Sequence, residues 1–104
     1  MIDEKIEKPL LDLGLVKGYS DTLKQYYRLP SMDFHLIWVY YEDSRCCVPN
    51  DLYGLDGSIV TSVRTRNFNK VSDAIPFLKC LIKKHKELLV ELKRRELEQD
   101  FENE

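Results

Sequence analysis

The sequence predicts a small α+β protein in which short N-terminal helices precede an antiparallel sheet and one long amphipathic helix. The segment 34–41 is a run of β-branched and aromatic residues, which is typical of a strand. Apolar residues between Ala74 and Leu92 recur at helical spacing along one stripe. A length of 104 residues fits one domain, which we assign to residues 1–97.

The first residues predict one or two short helices. Ile2 and Ile6 lie one helical turn apart within the segment 2–8, which therefore favours a helix. Pro9 either ends this helix or begins the next piece of structure. Gly14 is then a stop signal, because glycine is common just after the last residue of a helix.

The segment 20–29 leaves two possibilities open. Leu23, Tyr26 and Tyr27 have helical spacing, whereas the aromatic content of the segment also suits a strand. We favour a helix that Pro30 closes, since proline is unfavourable in the interior of a helix.

Three or four strands are expected in the middle of the chain. The first, 34–41, is apolar on both faces, which indicates a central strand. A second strand is predicted over 45–48 and a third over 58–68. Residues 49–57 between them are expected to form a loop that ends in a tight Asp-Gly turn.

The last helix is expected to begin after Asp73, since Pro76 is best tolerated within the first turn. Its apolar stripe ends at Leu92, although the helical pattern continues to Glu98. We predict that the acidic segment 98–104 is a disordered tail. The stripe consists of Ala74, Ile75, Leu78, Leu81, Ile82, Leu88, Leu89 and Leu92.

Charge is strongly segregated along the chain, although the net charge is only −2. Residues 61–95 carry ten bases and three acids, a net charge of +7, and residues 96–104 carry five acids and no base. The sequence therefore predicts a basic surface that is followed by an acidic end.

Cytoplasmic localisation is expected for this chain. No run of eighteen apolar residues occurs that could span a membrane, and the N-terminus lacks the apolar core of a signal peptide. Cys46, Cys47 and Cys80 are an odd number of cysteines with two adjacent, a poor basis for disulfide bonds. Three reduced thiols are the expectation.

Catalytic and metal-binding chemistry is not expected. Cys80 and His85 are five residues apart on a helix and so point about 140° apart, which does not suit a shared metal ion. Asp33 and His35 could share one side of a strand, but no nucleophile or third member can be named. We therefore predict no enzyme, no metal and no cofactor.

His85 lies near the centre of the apolar stripe. It is interpreted as a core or interface histidine with one hydrogen-bonded nitrogen. The alternative is a pH-sensitive contact between two helices, because histidine titrates near neutral pH.

A second apolar line on the last helix indicates a contact with another protein. Val90, Leu97 and Phe101 are spaced by seven and four residues, which places them together on a helix but off the main stripe. The sequence therefore predicts a small non-enzymatic interaction protein, such as a regulator, inhibitor or adaptor. The expected partner is a second copy in a homodimer, or another protein.

The alternative function is a nucleic-acid-binding accessory protein. Basic residues on the third strand and on one flank of the helix would form a single positive patch if those two surfaces adjoin. The residues of this predicted patch are Arg64, Arg66, Lys79, Lys83 and Lys86.

Overall fold

The structure, a computed structural model, describes the backbone of residues 2–102 and the side chains of residues 2–98. Within these residues it contains two helices and seven antiparallel strands. This confirms the α+β class, with more strands than the three or four expected. The elements are α1 (Glu4–Asp12), β1 (Val16–Ser20), β2 (Lys24–Arg28), β3 (Ile37–Tyr40), β4 (Cys46–Pro49), β5 (Leu52–Leu55), β6 (Ser58–Thr61), β7 (Thr65–Phe68) and α2 (Val71–Glu102).

Five strands form the main sheet in the order β1-β2-β3-β4-β7, and β5 and β6 form a separate hairpin. The strand β3 lies in the middle of this sheet, as its apolar composition predicts. In the register, Tyr26 is opposite Trp38, Trp38 is opposite Cys47, and Cys47 is opposite Asn67. One row of side chains therefore crosses four neighbouring strands.

The helix α1 differs from the helix predicted over residues 2–8. Asp3 caps it by accepting a hydrogen bond from the backbone N–H of Lys5 at 2.9 Å. Pro9 lies inside the helix, which continues because the next residue, Leu10, is fully buried in the core. Gly14, with φ of 92°, follows the helix in the left-handed conformation that glycine adopts without strain.

The helix that we favour for residues 20–29 is wrong. This region forms the end of β1, a turn and all of β2. Tyr27 is fully buried and its hydroxyl donates to Glu7 Oε2 of α1 at 3.1 Å, while Tyr26 lies on the opposite face. The turn is held by Asp21, whose carboxylate accepts from the backbone N–H groups two and three residues later.

The predicted loop over 49–57 is also wrong, because it contains the strand β5. Leu52 is fully buried in the core, and β5 packs on α2 together with β6. The connecting residues Asp56 and Gly57 have φ of 51° and 81°. Two consecutive positive φ angles are typical of the two-residue turn that joins a tight hairpin.

The strand predicted over 58–68 is broken into β6 and β7. Ser62 marks the break, since its hydroxyl accepts from the backbone N–H of Asp51 at 3.0 Å and donates to the carbonyl of Arg64 at 2.8 Å. Val63 in the connection is 96% exposed. The single predicted strand therefore serves two different sheets.

The helix α2 buries most of the stripe that its sequence predicts, but Leu89 of that stripe is 44% exposed, because the core does not reach this side of the helix. Ala74, Leu78 and Leu81 are at most 4% exposed, and His85 is 3% exposed on the same side. The helix begins at Val71, so Asp73 lies in its first turn and is not its cap. Val71 is 4% exposed, so the first residue of the helix is already packed in the core.

The two flanks of α2 have different surroundings. The hairpin follows one flank, and its turn meets the helix at Leu92, Arg95 and Glu96 across a groove of about 330 Å³. On the hairpin flank, Lys84 also donates to Asp51 at 2.5 Å.

At 1.5 Å per residue, the 32 residues of α2 span about 48 Å. The helix continues to Glu102, five residues into the segment 98–104 for which a disordered tail is predicted.

No helix of the described residues is both long enough and apolar enough to cross a membrane.

Replacing Leu78 by alanine should lower the free energy of unfolding by about 2–5 kcal/mol, because its fully buried side chain would leave a cavity in the core. Chemical denaturation monitored by circular dichroism measures this change. The matched control is Leu23→Ala, at a side chain that is 66% exposed. Equal losses from both variants would contradict the position of α2 on the sheet.

Candidate binding surfaces

The main sheet has one covered face and one open face. Ile37 and Val39 of β3 are fully buried in the core beneath the helices. Trp38 and Tyr40 alternate with them and point to the other face, where both are half-buried. The side chains that β2 and β3 place on this second face are half-buried, whereas Cys47 and Pro49 of β4 are buried there.

Three aromatic rings lie next to one another on the open face. The ring centroids of Tyr19 and Tyr26 are 5.5 Å apart, and those of Tyr26 and Trp38 are 5.8 Å apart. These distances are typical of favourable aromatic pairs. We define the aromatic strip as the following residues of β1, β2, β3, β4 and β7: Tyr19, Tyr26, Trp38, Tyr40, Cys47 and Asn67.

A lysine lies between two rings of the aromatic strip. The ammonium group of Lys24 is 5.5 Å from the ring centroid of Tyr26 and 5.5 Å from that of Tyr40. Both distances allow a cation–π interaction. Lys24, Arg28 and Arg45 share the face of Tyr26 and Cys47 by strand alternation, so cations accompany the rings.

His35 supports the end of the aromatic strip at Tyr19. Its Nε2 accepts a hydrogen bond from the backbone N–H of Tyr19 at 3.3 Å, and its ring lies 4.8 Å from that of Tyr26. Burial lowers the pKa of His35, and the positive charge of Arg28 lowers it further. The neutral imidazole is therefore favoured, as an acceptor requires.

The Asp33–His35 pair considered for catalysis is not assembled. Asp33 is exposed, and its negative charge influences the pKa of His85. The pKa of His35 is influenced instead by the positive charge of Arg28. His35 already uses Nε2 for the backbone contact with Tyr19. His35 therefore helps to hold Tyr19 and Tyr26 in position.

The two buried cysteines, Cys46 and Cys47, are free thiols of low reactivity. Burial raises the pKa of Cys46 to about 12, and it also raises the pKa of Cys47. Cys47 donates to Asn67 Oδ1 at 2.7 Å, within the aromatic strip. Cys80 is exposed on α2, and all three thiols are free.

Two grooves flank Tyr40 on the open side of the sheet. Both include Arg45, and their volumes are about 390 Å³ and about 240 Å³. The larger one is lined also by Leu23, while the smaller one reaches Cys47 and Asn67. These two grooves beside the aromatic strip can accept side groups of a bound molecule.

The predicted apolar line on α2 lies on the flank away from the hairpin. Val90 is 63% exposed and Leu97 is 56% exposed, and their spacing of seven residues puts them on the same side. Phe101 belongs to the same helix, but its side chain lies outside the described residues. Contact of these residues with a partner stays a prediction.

The five basic residues of the predicted patch fall into two groups. The guanidinium of Arg66 packs over the ring of Phe77, 4.6 Å from its centroid, on the flank of α2 that faces β7. Lys79 and Lys86 are two and nine residues after Phe77, so they project from roughly the opposite side of the helix. Lys83 is exposed between these two lysines, and exposed Arg64 precedes β7.

His85 is buried at the centre of the helical stripe. It is 3% exposed, and the ring of Phe34 meets it edge-on with centroids 6.0 Å apart. Burial lowers the pKa of His85, and the negative charge of Asp33 opposes this shift. This environment fits the core histidine that the sequence predicts.

Sequence reasoning missed the aromatic strip, although part of its signal is present. Trp38 and Tyr40 are two residues apart and therefore predict a shared face. The preference for a helix over 20–29 hid the contribution of Tyr26, because no strand beside β3 was expected there.

No known protein family, no curated protein and no solved structure matches this chain. The function is therefore argued from the two surfaces alone.

Lowering the pH should reduce the free energy of unfolding, because His35 and His85 bind protons less readily in the folded state. The pKa values of His35 and His85 lie below the ordinary 6.5, so the unfolded chain binds protons more readily. The free energy of unfolding should hold its full value above about pH 6.5 and fall as the pH drops toward 5. Urea titrations across this range measure the slope.

His85→Leu and His35→Gln should each flatten this dependence, whatever they do to stability at neutral pH. Carboxylates remain ionised over most of the same range and contribute little to the slope. An unchanged slope in both variants would show that neither histidine is the source.

Gly18→Ala should disturb the end of the aromatic strip. A Cβ at Gly18 would lie 2.6 Å from Nε2 of His35, so the imidazole must move and lose its contact with Tyr19. We expect a loss of about 1–3 kcal/mol in the free energy of unfolding, measured by denaturation. Gly54→Ala is the matched control, because its nearest contact would be 3.9 Å. Equal losses would contradict the packing of His35.

Proposed function

We propose that the protein is a non-enzymatic interaction protein that acts by protein–protein contact and forms a homodimer through α2. The observation that supports this proposal is the exposure of Val90 and Leu97 on one flank of a helix whose core-facing residues Ala74, Leu78 and Leu81 are already packed. Apolar side chains aligned in this way lose unfavourable contact with water when a partner covers them.

The helix is well suited to pairing because it extends along the molecule. The principal extents are 56, 25 and 23 Å, and the radius of gyration is 15.6 Å, against about 13 Å expected for a compact chain of this length. Residues after Glu96 also pass beyond the turn of the hairpin. A second helix can therefore approach the flank of Val90 without meeting the sheet.

Charge supports an antiparallel arrangement of the two helices. Lys93 and Arg94 are consecutive bases, whereas Arg95 lies on the hairpin flank and pairs with Glu91, and residues 96–104 carry five acids. An antiparallel pair places the basic run of each copy near the acidic run of the other, whereas a parallel pair places like charges together. A two-fold interface of this kind is self-complementary.

The proposed interface is small. The stretch from Val90 to Glu102 covers about 18 Å of helix, and its contact area falls at the weak end of specific interfaces. We therefore propose reversible association in the micromolar range. This suits a regulator, inhibitor or adaptor whose partner choice depends on concentration.

The nucleic-acid alternative that uses the helix lysines has less support. Arg66 is packed on Phe77, and Lys79 and Lys86 lie across the helix from it. A single phosphate-binding patch of Arg64, Arg66, Lys79, Lys83 and Lys86 would need these two groups to adjoin.

Leu97→Glu should abolish the homodimer, because the change puts a charge into the apolar contact and adds repulsion beside the acidic run. Sedimentation equilibrium over a series that reaches high micromolar concentrations should show a monomer–dimer equilibrium for the native chain and a monomer for the variant.

The matched control is Val63→Glu, which puts the same charge on a side chain that is 96% exposed in the connection between β6 and β7. It should leave the dimer intact. A native chain that stays monomeric at the highest concentration, or equal dimerisation of both variants, would refute the proposed interface. Weaker dimerisation at high salt is expected from the charged runs.

A further inference from the structure

We propose that the aromatic strip on the open sheet face binds single-stranded nucleic acid by stacking its bases on the rings and pairing its phosphates with the neighbouring cations. This surface is separate from the α2 flank that serves the proposed dimer. The inference follows from the ring spacing, from the lysine between two rings, and from the partial exposure of Tyr19, Tyr26 and Trp38.

The rings of the aromatic strip form a platform. Tyr19 is 61% exposed, while Tyr26 and Trp38 are half-buried and follow it at centroid distances of 5.5 and 5.8 Å. Since adjacent strands lie about 4.8 Å apart, the rings on β1, β2 and β3 extend about 10 Å across the sheet. That length offers stacking surfaces for a few unpaired bases.

Single-stranded nucleic acid matches this combination of groups. Proteins that bind it use aromatic side chains as stacking surfaces and basic side chains along the backbone, and the stacking tolerates many sequences. Lys24 lies between Tyr26 and Tyr40, with its ammonium 5.5 Å from each centroid. Arg28 and Arg45 flank the rings on the same face.

The arginines differ in how they are held. Arg28 donates through Nη1 to three backbone carbonyls at 3.1–3.3 Å, which fixes its position without neutralising it. Arg45 is paired with Asp43 at 2.6 Å, and both side chains are substantially exposed. A phosphate can therefore compete for Arg45, while Lys24 and Arg28 supply charge directly.

A second copy of the chain is a poorer occupant of this face. A two-fold pairing of open faces would bring Lys24, Arg28 and Arg45 of one copy against the same three cations of the other. Like charges brought together in a desolvated contact are costly. A polyanion meets the same cations favourably.

The fluorescence of Trp38 provides the test, because it is the one tryptophan of the sequence. Labelled oligonucleotides of about twelve nucleotides, within the range of known site sizes, are titrated in three arms: single-stranded RNA, single-stranded DNA and duplex DNA. Binding of a single strand should quench Trp38 and raise the anisotropy of the label. The two single-stranded arms show which sugar is preferred.

The duplex should bind much more weakly than either single strand, because its bases are already stacked on each other. Three cations predict that the logarithm of the binding constant falls with the logarithm of salt concentration with a slope of about −2. A steeper slope, or equal binding of the duplex, would indicate a general electrostatic attraction and would overturn the proposal.

Variants identify the surface. Tyr19→Ala should weaken binding about tenfold, since one stacking ring is lost, and Lys24→Gln should weaken it severalfold and reduce the salt slope by about 0.7. Matched controls are Tyr53→Ala, at a tyrosine of the hairpin that is 42% exposed, and Lys83→Gln on α2. Thermal melts establish that each variant is folded.

Three further results would overturn the proposal. The first is no binding of either single strand at low salt. The second is a loss of binding in Lys83→Gln but not in Tyr19→Ala or Lys24→Gln, which would place the contact on the helix. The third is a change of Trp38 fluorescence with protein concentration alone that Tyr19→Ala removes, which would assign the face to a second copy.

Discussion

The packing of one face of the main sheet against α2 is the constraint on which the rest of this structure depends. Ala74, Leu78 and Leu81 of the helix meet the buried side of the sheet, where Ile37 and Val39 are fully enclosed. A chain of 104 residues buries little more than 60% of its unfolded surface, and the described helices and main sheet form two packed layers. The helices therefore cover one face of the sheet, and the other face remains open.

The open face is stabilised by contacts within the sheet itself. Its rings cover one another at centroid distances below 6 Å, and its polar groups have partners, as in the hydrogen bond from Cys47 to Asn67. His35 can lie against Tyr26 because Gly18 has no Cβ to obstruct it. This order in the absence of a partner lowers the conformational entropy that binding would cost, and a preorganised platform binds more tightly for that reason.

The hairpin packs against one flank of α2, whereas Val90 and Leu97 on the other flank are exposed. It buries Leu52, and Lys84 pairs with Asp51 beside it, so this flank belongs to the folded unit. Both partners of that ion pair are partly exposed, so burial of Leu52 contributes more to docking than the charges do. The other flank carries Val90 and Leu97 without a covering element in the described residues. The two proposed surfaces thus lie on different sides of one rigid scaffold and need not compete.

Local periodicity in the sequence determined the α+β class, the central strand and the buried stripe of α2 with His85 at its centre. Each of these signals lies within one element, where spacing alone decides which residues share a face. Only the tertiary structure decided that Tyr26 lies in a strand beside Trp38, that 49–57 contributes a strand to a hairpin, and that Arg66 and Lys86 lie on different sides of a helix. These outcomes depend on which strands pair and which face is covered, and such non-local contacts override local propensity.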